Sequence, residues 1–176
     1  MQQEPDLALV EQACNGDTDS FTELCRRYYP AMVAIAHSII GDRHLAEDAA
    51  QQTFAKAVRK MSNLKSKNKF AAWLAAICRN VALDLINKKE RFQSTRDLSM
   101  IAAEPQGNDV SEAVKDALNK LSASAKEVIF LRYYDGMTYE QISAVLGISE
   151  QATTGRLRRA KKKMAHYLKR SGFDKV

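Results

Sequence analysis

The sequence predicts an all-α protein built of two small helical domains joined by a flexible linker, the second containing a helix-turn-helix. The 176 residues include only seven Gly and three Pro, and long stretches are rich in the strong helix formers Ala, Leu, Lys, Glu and Gln. No segment alternates apolar and polar residues as a half-buried strand does. The apolar fraction of 45% is high enough to build a folded core.

The first domain, residues 1–91, is expected to hold four helices. A short amphipathic helix stops near residue 16, and a second, with apolar residues at spacings of three and four, ends near Gly41. Pro30 is expected to kink or split this second helix. Asp42 is expected to cap a third helix that runs to about Met61. A polar loop over residues 62–69 precedes a fourth helix, whose apolar face carries Phe70, Leu74, Ile77, Val81 and Leu85.

Periodicity vanishes between the two domains. Residues 92–111 include Pro105 and Gly107 and are expected to form the linker. The second domain, residues 112–176, resumes with an amphipathic helix and a further helix that closes at Asp135 and Gly136.

The carboxy-terminal part of the second domain has the pattern of a helix-turn-helix. Thr138 and Gln141 form a capping box at the start of a short helix. Gly147 permits a tight turn, and Ser149 caps a long basic helix. Thr153, Leu157, Ala160, Met164 and Leu168 form the buried face of that helix. A basic helix braced by a shorter one suits the major groove of DNA, whereas the structural alternative is a hairpin with a solvated basic face.

Charge is concentrated in two blocks. Residues 54–96 carry eleven bases and two acids, residues 156–170 carry eight bases and no acid, and the segments before each block are acidic. This pattern predicts two contacts with a polyanion. A well-solvated surface is the alternative explanation.

Several functional classes lack their signatures. The three His residues and the cysteines Cys14, Cys25 and Cys78 form no metal-ligand spacing, and no phosphate-binding glycine loop or nucleophile elbow occurs. We therefore expect no catalytic residue, no metal and no cofactor. His37 is expected to be packed or half-exposed, and Cys78 to be a buried free thiol. No apolar run approaches about 18 residues and no signal peptide begins the chain, so we expect a cytoplasmic protein without membrane insertion.

Three segments resemble a known family. Residues 121–149 with 155–164 resemble region four of bacterial sigma factors of the extracytoplasmic-function (ECF) class. Residues 45–61 are similar to region 2.2 of that class, and residues 70–89 to regions 2.3 and 2.4. The order, the spacing and the linker between them agree as well.

The resemblance implies that the chain directs RNA polymerase to promoters and is not itself an enzyme. It implies contacts with the clamp helices and flap of the large polymerase subunits, and with promoter DNA as duplex and as melted single strand. An anti-sigma factor is a further partner that the resemblance permits. The implied core-binding positions are Asp48, Gln51, Gln52, Lys56 and Arg59. The implied minus-ten contacts are Asn63, Lys65, Lys67, Asn68, Arg79, Asn80, Lys88 and Lys89. The implied minus-thirty-five contacts are Gln151, Thr154, Arg156, Arg158, Arg159 and Lys162.

Three positions carry narrower expectations. The run from Ala152 to Gly155 departs from the family pattern, so we expect a shifted or weaker readout by the carboxy-terminal helix. Trp73 borders the apolar face of the fourth helix and is expected to be partly buried. Asp84 is expected to pair with Lys88 one turn further on.

Two other functions are compatible with a basic helix-turn-helix. One is a stand-alone transcriptional regulator that binds duplex operator DNA, and the other is an interaction module that holds an acidic protein. The region 2.2 helix and the lysine-rich loop favour the sigma factor, because a simple regulator needs neither.

Overall fold

The computed structural model describes residues 6–94 and 109–173, with side chains for residues 6–89 and 112–173. These residues form eight α-helices and no strand, which confirms the predicted all-α class. The helices are α1 (Asp6–Cys14), α2 (Thr18–Ile40), α3 (Arg43–Lys60), α4 (Phe70–Ser94), α5 (Asp109–Asn119), α6 (Ala123–Ile129), α7 (Tyr139–Leu146) and α8 (Glu150–Arg170). Short 3₁₀ turns at Met61–Asn63 and Lys67–Lys69 lead into α4, and a π-helical turn at Phe130–Tyr134 follows α6.

The predicted helix ends are fixed by local hydrogen bonds. The Asp42 carboxylate accepts from the Leu45 amide at 3.1 Å and caps α3, since the first amides of a helix have no partner within it. Gly41 adopts a left-handed conformation with φ +75° after α2, a conformation that costs glycine little. These observations confirm the predicted boundary between the second and third helices.

The helix α2 continues through Pro30, so the expected split does not occur. Proline removes one amide donor and leaves a carbonyl one turn earlier without its usual partner. Pro30 lies on the exposed side of α2, where water can bond that carbonyl.

The first half is centred on α2, which packs against α1, α3 and α4. Leu24, Met32, Ile35 and Leu74 are fully buried in this core. Cys78 is buried as well, as predicted, and burial raises the pKa of its thiol to about 11. The thiol therefore stays protonated and acts as a small apolar group.

The segment Lys67–Lys89 is long and apolar enough to cross a membrane by length and composition alone. Phe70, Leu74 and Val81 on its apolar face are buried, and α4 packs against α2 and α3. The apolar character is that of a core helix in a folded protein.

The two halves of the molecule share one continuous set of buried side chains. The helix α6 and the π-helical turn pack on α2, and α7 packs on α4. The described residues of the two predicted domains therefore dock directly on one another, a contact that the sequence did not predict. The helix α4 extends to Ser94, and the rest of the predicted linker through residue 108 lies outside the described residues.

Candidate nucleic-acid interface

The second half presents a basic surface along α8. Ser149 caps this helix by accepting from the Ala152 amide at 3.2 Å, and Leu157 and Ala160 are buried against the neighbouring helices. The helix therefore turns its polar side outward. The predicted contact residues Gln151, Thr154, Arg158, Arg159 and Lys162 are exposed, and Arg156 is half-buried.

The helix α7 holds α8 in place through a buried pair of hydroxyl groups. Ser143 Oγ and Thr153 Oγ1 are 2.9 Å apart, and Ser143 also donates to the Tyr139 carbonyl at 2.7 Å. The polar side chain at position 153 is thus satisfied inside the core of the helix-turn-helix. The predicted capping box is present, with Gln141 accepting from the Thr138 amide at 2.9 Å.

The segment before α7 is fastened by one arginine. Arg132 Nη1 donates to the Met137 carbonyl at 2.7 Å, and the guanidinium carbon lies 5.4 Å from the centre of the Tyr139 ring. Both contacts join the end of the π-helical turn to the start of the helix-turn-helix. They fix the orientation of α7 relative to the π-helical turn.

The first half presents a second basic surface on the loop before α4. Leu64 is half-buried and anchors this loop, while Asn63, Lys65 and Asn68 are exposed. Lys67 is half-buried, and its Nζ lies 4.0 Å from Glu11 Oε1, a distance that gives a weak ion pair. The loop thus exposes two side-chain amides and two lysines, Lys65 and Lys69, beside the loosely paired Lys67.

Further predicted minus-ten residues lie along α4. Asn80, Lys88 and Lys89 are exposed. Trp73 is half-buried, as expected, with its ring centre 5.9 Å from that of Phe70. Trp73 therefore leaves only part of its ring available to a base.

One expected ion pair on α4 is replaced by another. Asp84 was expected to pair with Lys88, but its Oδ2 lies 3.7 Å from Lys56 Nζ on α3. Because α3 packs beside α4, a lysine on the neighbouring helix comes within reach of Asp84.

Arg79 differs from the other predicted minus-ten residues. Its Nε donates to Glu127 Oε1 on α6 at 2.8 Å, across the boundary between the two halves. The side chain of Glu127 is only 10% exposed and that of Arg79 is 31% exposed. This pair was not predictable from local patterns, because the two residues are 48 positions apart.

The predicted core-binding residues lie together on α3. Ala46, Ala50 and Thr53 are buried against the first-half core, so the opposite side of the helix faces solvent. All five predicted residues are exposed there: Asp48, Gln51, Gln52, Lys56 and Arg59.

A further surface was not predicted. An open apolar groove of about 690 Å³ lies between α5, α8 and the π-helical turn. Val114, Leu118, Phe130, Tyr133, Met164 and Leu168 are among its lining residues. Tyr133 is 59% exposed. The adjacent residues Tyr133 and Tyr134 could have indicated this groove. Two successive aromatic side chains on a helical turn cannot both point into the same core, so at least one is expected at the surface.

Known proteins match the chain along most of its length. Residues 24–92 match the family described as Sigma-70 region 2, and residues 111–164 match Sigma-70, region 4. The ECF RNA polymerase sigma factor SigW of Bacillus subtilis is 25% identical over 177 residues, which cover 91% of this chain and 95% of SigW.

Two solved structures resemble the fold. CnrH of Cupriavidus metallidurans, in complex with the cytosolic domain of CnrY, has a TM-score of 0.62 at 28% identity and covers 93% of this chain and 97% of CnrH. The sigma factor RpoE from Bartonella quintana, in complex with the anti-sigma factor NepR, has a TM-score of 0.58 at 29% identity. That alignment covers 86% of this chain and 98% of RpoE.

Proposed function

Because the chain belongs to the ECF class of bacterial RNA polymerase sigma factors, we propose that its two basic surfaces hold a promoter at two places. The loop before α4, with α4 itself, takes the minus-ten element, and α8 takes the minus-thirty-five element. One observation carries this proposal: the basic surfaces lie in different halves of the chain. A duplex-reading regulator would need only the second.

The first surface suits melted DNA. Lys65, Lys88 and Lys89 supply positive charge for backbone phosphates, and these contacts should weaken as salt rises, because counterion release then gains less free energy. Asn63 and Asn68 offer amides that can hydrogen-bond an unstacked base. The half-buried ring of Trp73 on α4 offers a small stacking surface for a base.

The second surface suits duplex DNA in the major groove. Arginine can bond guanine edges with two hydrogen bonds, whereas Lys162 further along α8 is placed to meet phosphate. Thr154 stands where the family commonly has a basic residue. We therefore propose that Arg156, Arg158 and Arg159 carry most of the readout.

An alanine scan of α8 tests this assignment in a promoter-binding assay with holoenzyme. Substitution of Arg158 or Arg159 should cost roughly 1–3 kcal/mol, and substitution of Thr154 should cost less. Lys169→Ala is the matched control, because it removes one exposed charge at the far end of the same helix. The assignment would be contradicted if Thr154→Ala weakened promoter binding strongly while alanine at the three arginines left binding unchanged.

The exposed side of α3 is the proposed surface for core polymerase. Asp48, Gln51 and Gln52 make no contribution to the buried core, so alanine at these positions should leave folding intact. A triple alanine variant should bind purified core polymerase at least about tenfold more weakly. Asp19→Ala with Thr22→Ala on the exposed side of α2 is the control. Equal binding by both variants would remove α3 from the core interface.

The apolar groove beside α8 suits a protein partner, since exposed apolar surfaces of this kind mark binding sites. The CnrH and RpoE structures are complexes with CnrY and with the anti-sigma factor NepR. We propose an anti-sigma factor as a partner of this chain too. The chain would act in the cytoplasm, where nucleotide addition belongs to the polymerase and no catalytic group is required of the sigma factor.

Transcription in vitro tests the function directly. Purified core polymerase and fragmented genomic DNA from the host are incubated with and without the protein, and transcript 5′ ends are mapped. A sigma factor should create new start sites that share two upstream elements. A stand-alone regulator would shift duplex DNA without polymerase and would create no start site.

A further inference from the structure

The partly buried ion pair between Arg79 and Glu127 connects the two halves. Glu127 is followed by the buried residues Val128 and Ile129, and its side chain is 10% exposed. A carboxylate in such a place is costly to bury without a partner. Arg79 supplies that partner with a hydrogen bond of 2.8 Å. In the docked arrangement the Arg79 guanidinium is therefore bound to Glu127, although Arg79 is one of the predicted minus-ten residues.

Two apolar contacts accompany this pair. His37 on α2 lies edge-on to Phe130, with ring centres 5.0 Å apart. At the other end of the boundary, a Cβ added to Gly147 would lie 3.3 Å from the Cβ of Ala72. The turn of the helix-turn-helix therefore rests directly on the first turn of α4.

The docked arrangement places the two DNA-binding surfaces close together. The lysine-rich loop ends three residues before Ala72, and the cap of α8 lies two residues after Gly147. With consecutive Cα atoms 3.8 Å apart, the loop and the start of α8 lie within roughly 25 Å of each other. The minus-ten and minus-thirty-five elements are separated by about 25 base pairs, the difference between their positions, and a duplex rises about 3.4 Å per base pair. The two elements are therefore about 85 Å apart. The docked chain cannot hold both.

We propose that Glu127 competes with promoter DNA for the Arg79 guanidinium, so that the two halves must separate before Arg79 contacts the minus-ten strand. A carboxylate and a phosphate both accept paired hydrogen bonds from arginine, which makes them alternative partners for one group. This inference rests on the proposed function, since it takes Arg79 to be a DNA-contacting residue. It assigns Glu127 the role of an internal inhibitor.

A cycle of glutamine variants tests the competition. Binding of the free protein to a fluorescein-labelled mixed-sequence single-stranded oligonucleotide is measured for wild type, Glu127→Gln, Arg79→Gln and the double variant. Glu127→Gln should bind roughly two- to fivefold more tightly, the range for a partly exposed ion pair. The double variant should bind no better than Arg79→Gln alone. Asp116→Asn, which removes one exposed acid from α5, is the charge-matched control.

Small-angle X-ray scattering tests the separation. A compact chain of this length has a radius of gyration of about 16 Å. Glu127→Lys sets two cations against each other and should enlarge the wild-type radius. Arg79→Glu combined with Glu127→Lys should restore the compact radius without restoring DNA affinity, and circular dichroism checks that each variant is folded.

The outcomes separate the inference from the function on which it rests. If Glu127→Gln and Asp116→Asn tighten DNA binding equally, or if Glu127→Gln tightens it as much without Arg79, the competition is refuted. An unchanged radius for a folded Glu127→Lys variant refutes the separation. Failure to create start sites with core polymerase would refute the sigma factor function, whatever the scattering shows.

Discussion

At the scale of single residues, Thr153 shows how a departure from a family pattern is accommodated. Its hydroxyl is buried, yet it lies 2.9 Å from Ser143 Oγ on the neighbouring helix. A buried hydroxyl without a partner would be costly, whereas a bonded pair is close to neutral. The sequence revealed the polar residue at position 153, but it did not reveal that α7 supplies a second hydroxyl to meet it.

A double-mutant cycle checks this pairing. Ser143→Ala leaves the Thr153 hydroxyl without its partner and should lower the free energy of unfolding by about 1–2 kcal/mol. Adding Thr153→Val, which keeps the shape and removes the orphaned hydroxyl, should recover most of that loss. The cycle is measured by urea denaturation. Additive losses in the double variant would show that the two hydroxyls do not interact.

Gly155 is the second unusual residue of α8. It lies inside the helix, where glycine costs about 1 kcal/mol relative to alanine. A Cβ added there would lie 3.4 Å from Arg159 Nη1, the mobile end of a long side chain. Gly155→Ala should therefore raise the free energy of unfolding by about 1 kcal/mol in urea denaturation. A loss of stability would mean that Arg159 cannot move aside.

At the scale of elements, the sequence predicted helix starts well because caps are local. Asp42 and Ser149 each cap the helix that follows them, as expected from residue type and position. The behaviour of α2 at Pro30 was less predictable. Whether a proline splits a helix depends on whether the freed carbonyl faces solvent, and that depends on packing that is not local.

The cap of α3 gives a pH-dependent prediction. The Leu45 amide, as the largest cause, lowers the pKa of Asp42 below its ordinary value of 3.8. Asp42→Ala should lower the free energy of unfolding by about 1 kcal/mol at neutral pH. Asp42→Asn keeps an accepting oxygen and should cost only a few tenths.

The sign of the pH effect follows from the lowered pKa. The charged cap contributes its full stability above pH 3.8, and that contribution is lost as the pH falls below 3.8 through the lower pKa of the folded state. Wild type should therefore lose stability relative to Asp42→Asn in urea denaturation between neutral pH and pH 3. Parallel curves would show that Asp42 does not cap α3 in its charged form.

At the scale of the whole molecule, the sequence predicted both halves and their order but not their docking. Arg79 and Glu127 are charged residues of the kind usually found at the surface, and nothing in their spacing links them. The exposed positions of the candidate DNA surface followed from helical periodicity, as for Gln151 and Lys162 on α8. Arg79 did not, because its environment is set by an element of the other half.

We expect His37 to make the docking sensitive to pH. Burial, the largest cause, lowers the pKa of this imidazole below 6.5. The two aromatic rings that contact His37, those of Phe130 and Tyr134, belong to the other half. Charged and titratable groups around it come from its own side and from α5, α6 and the π-helical turn: Asp42, Arg43, Lys115, Lys126 and Tyr134.

Acid should therefore open the molecule. The neutral imidazole favours docking, so the contribution of His37 to docking is fully present above pH 6.5 and is lost as the pH falls from 6.5 through the lowered pKa of the docked state. The radius of gyration of wild type should rise between pH 7.5 and pH 5.5, whereas His37→Phe, which packs without titrating, should stay compact. Equal expansion of both proteins would assign the effect to another group.

The central claim is that the first half melts the minus-ten element while α8 holds the minus-thirty-five element as duplex. Permanganate reactivity of thymines in holoenzyme–promoter complexes measures this most directly. Wild type should make minus-ten thymines reactive. Alanine at Asn63, Lys65 and Asn68 should abolish that reactivity while the complex still protects the minus-thirty-five element from cleavage. Undiminished reactivity in that variant would contradict the account.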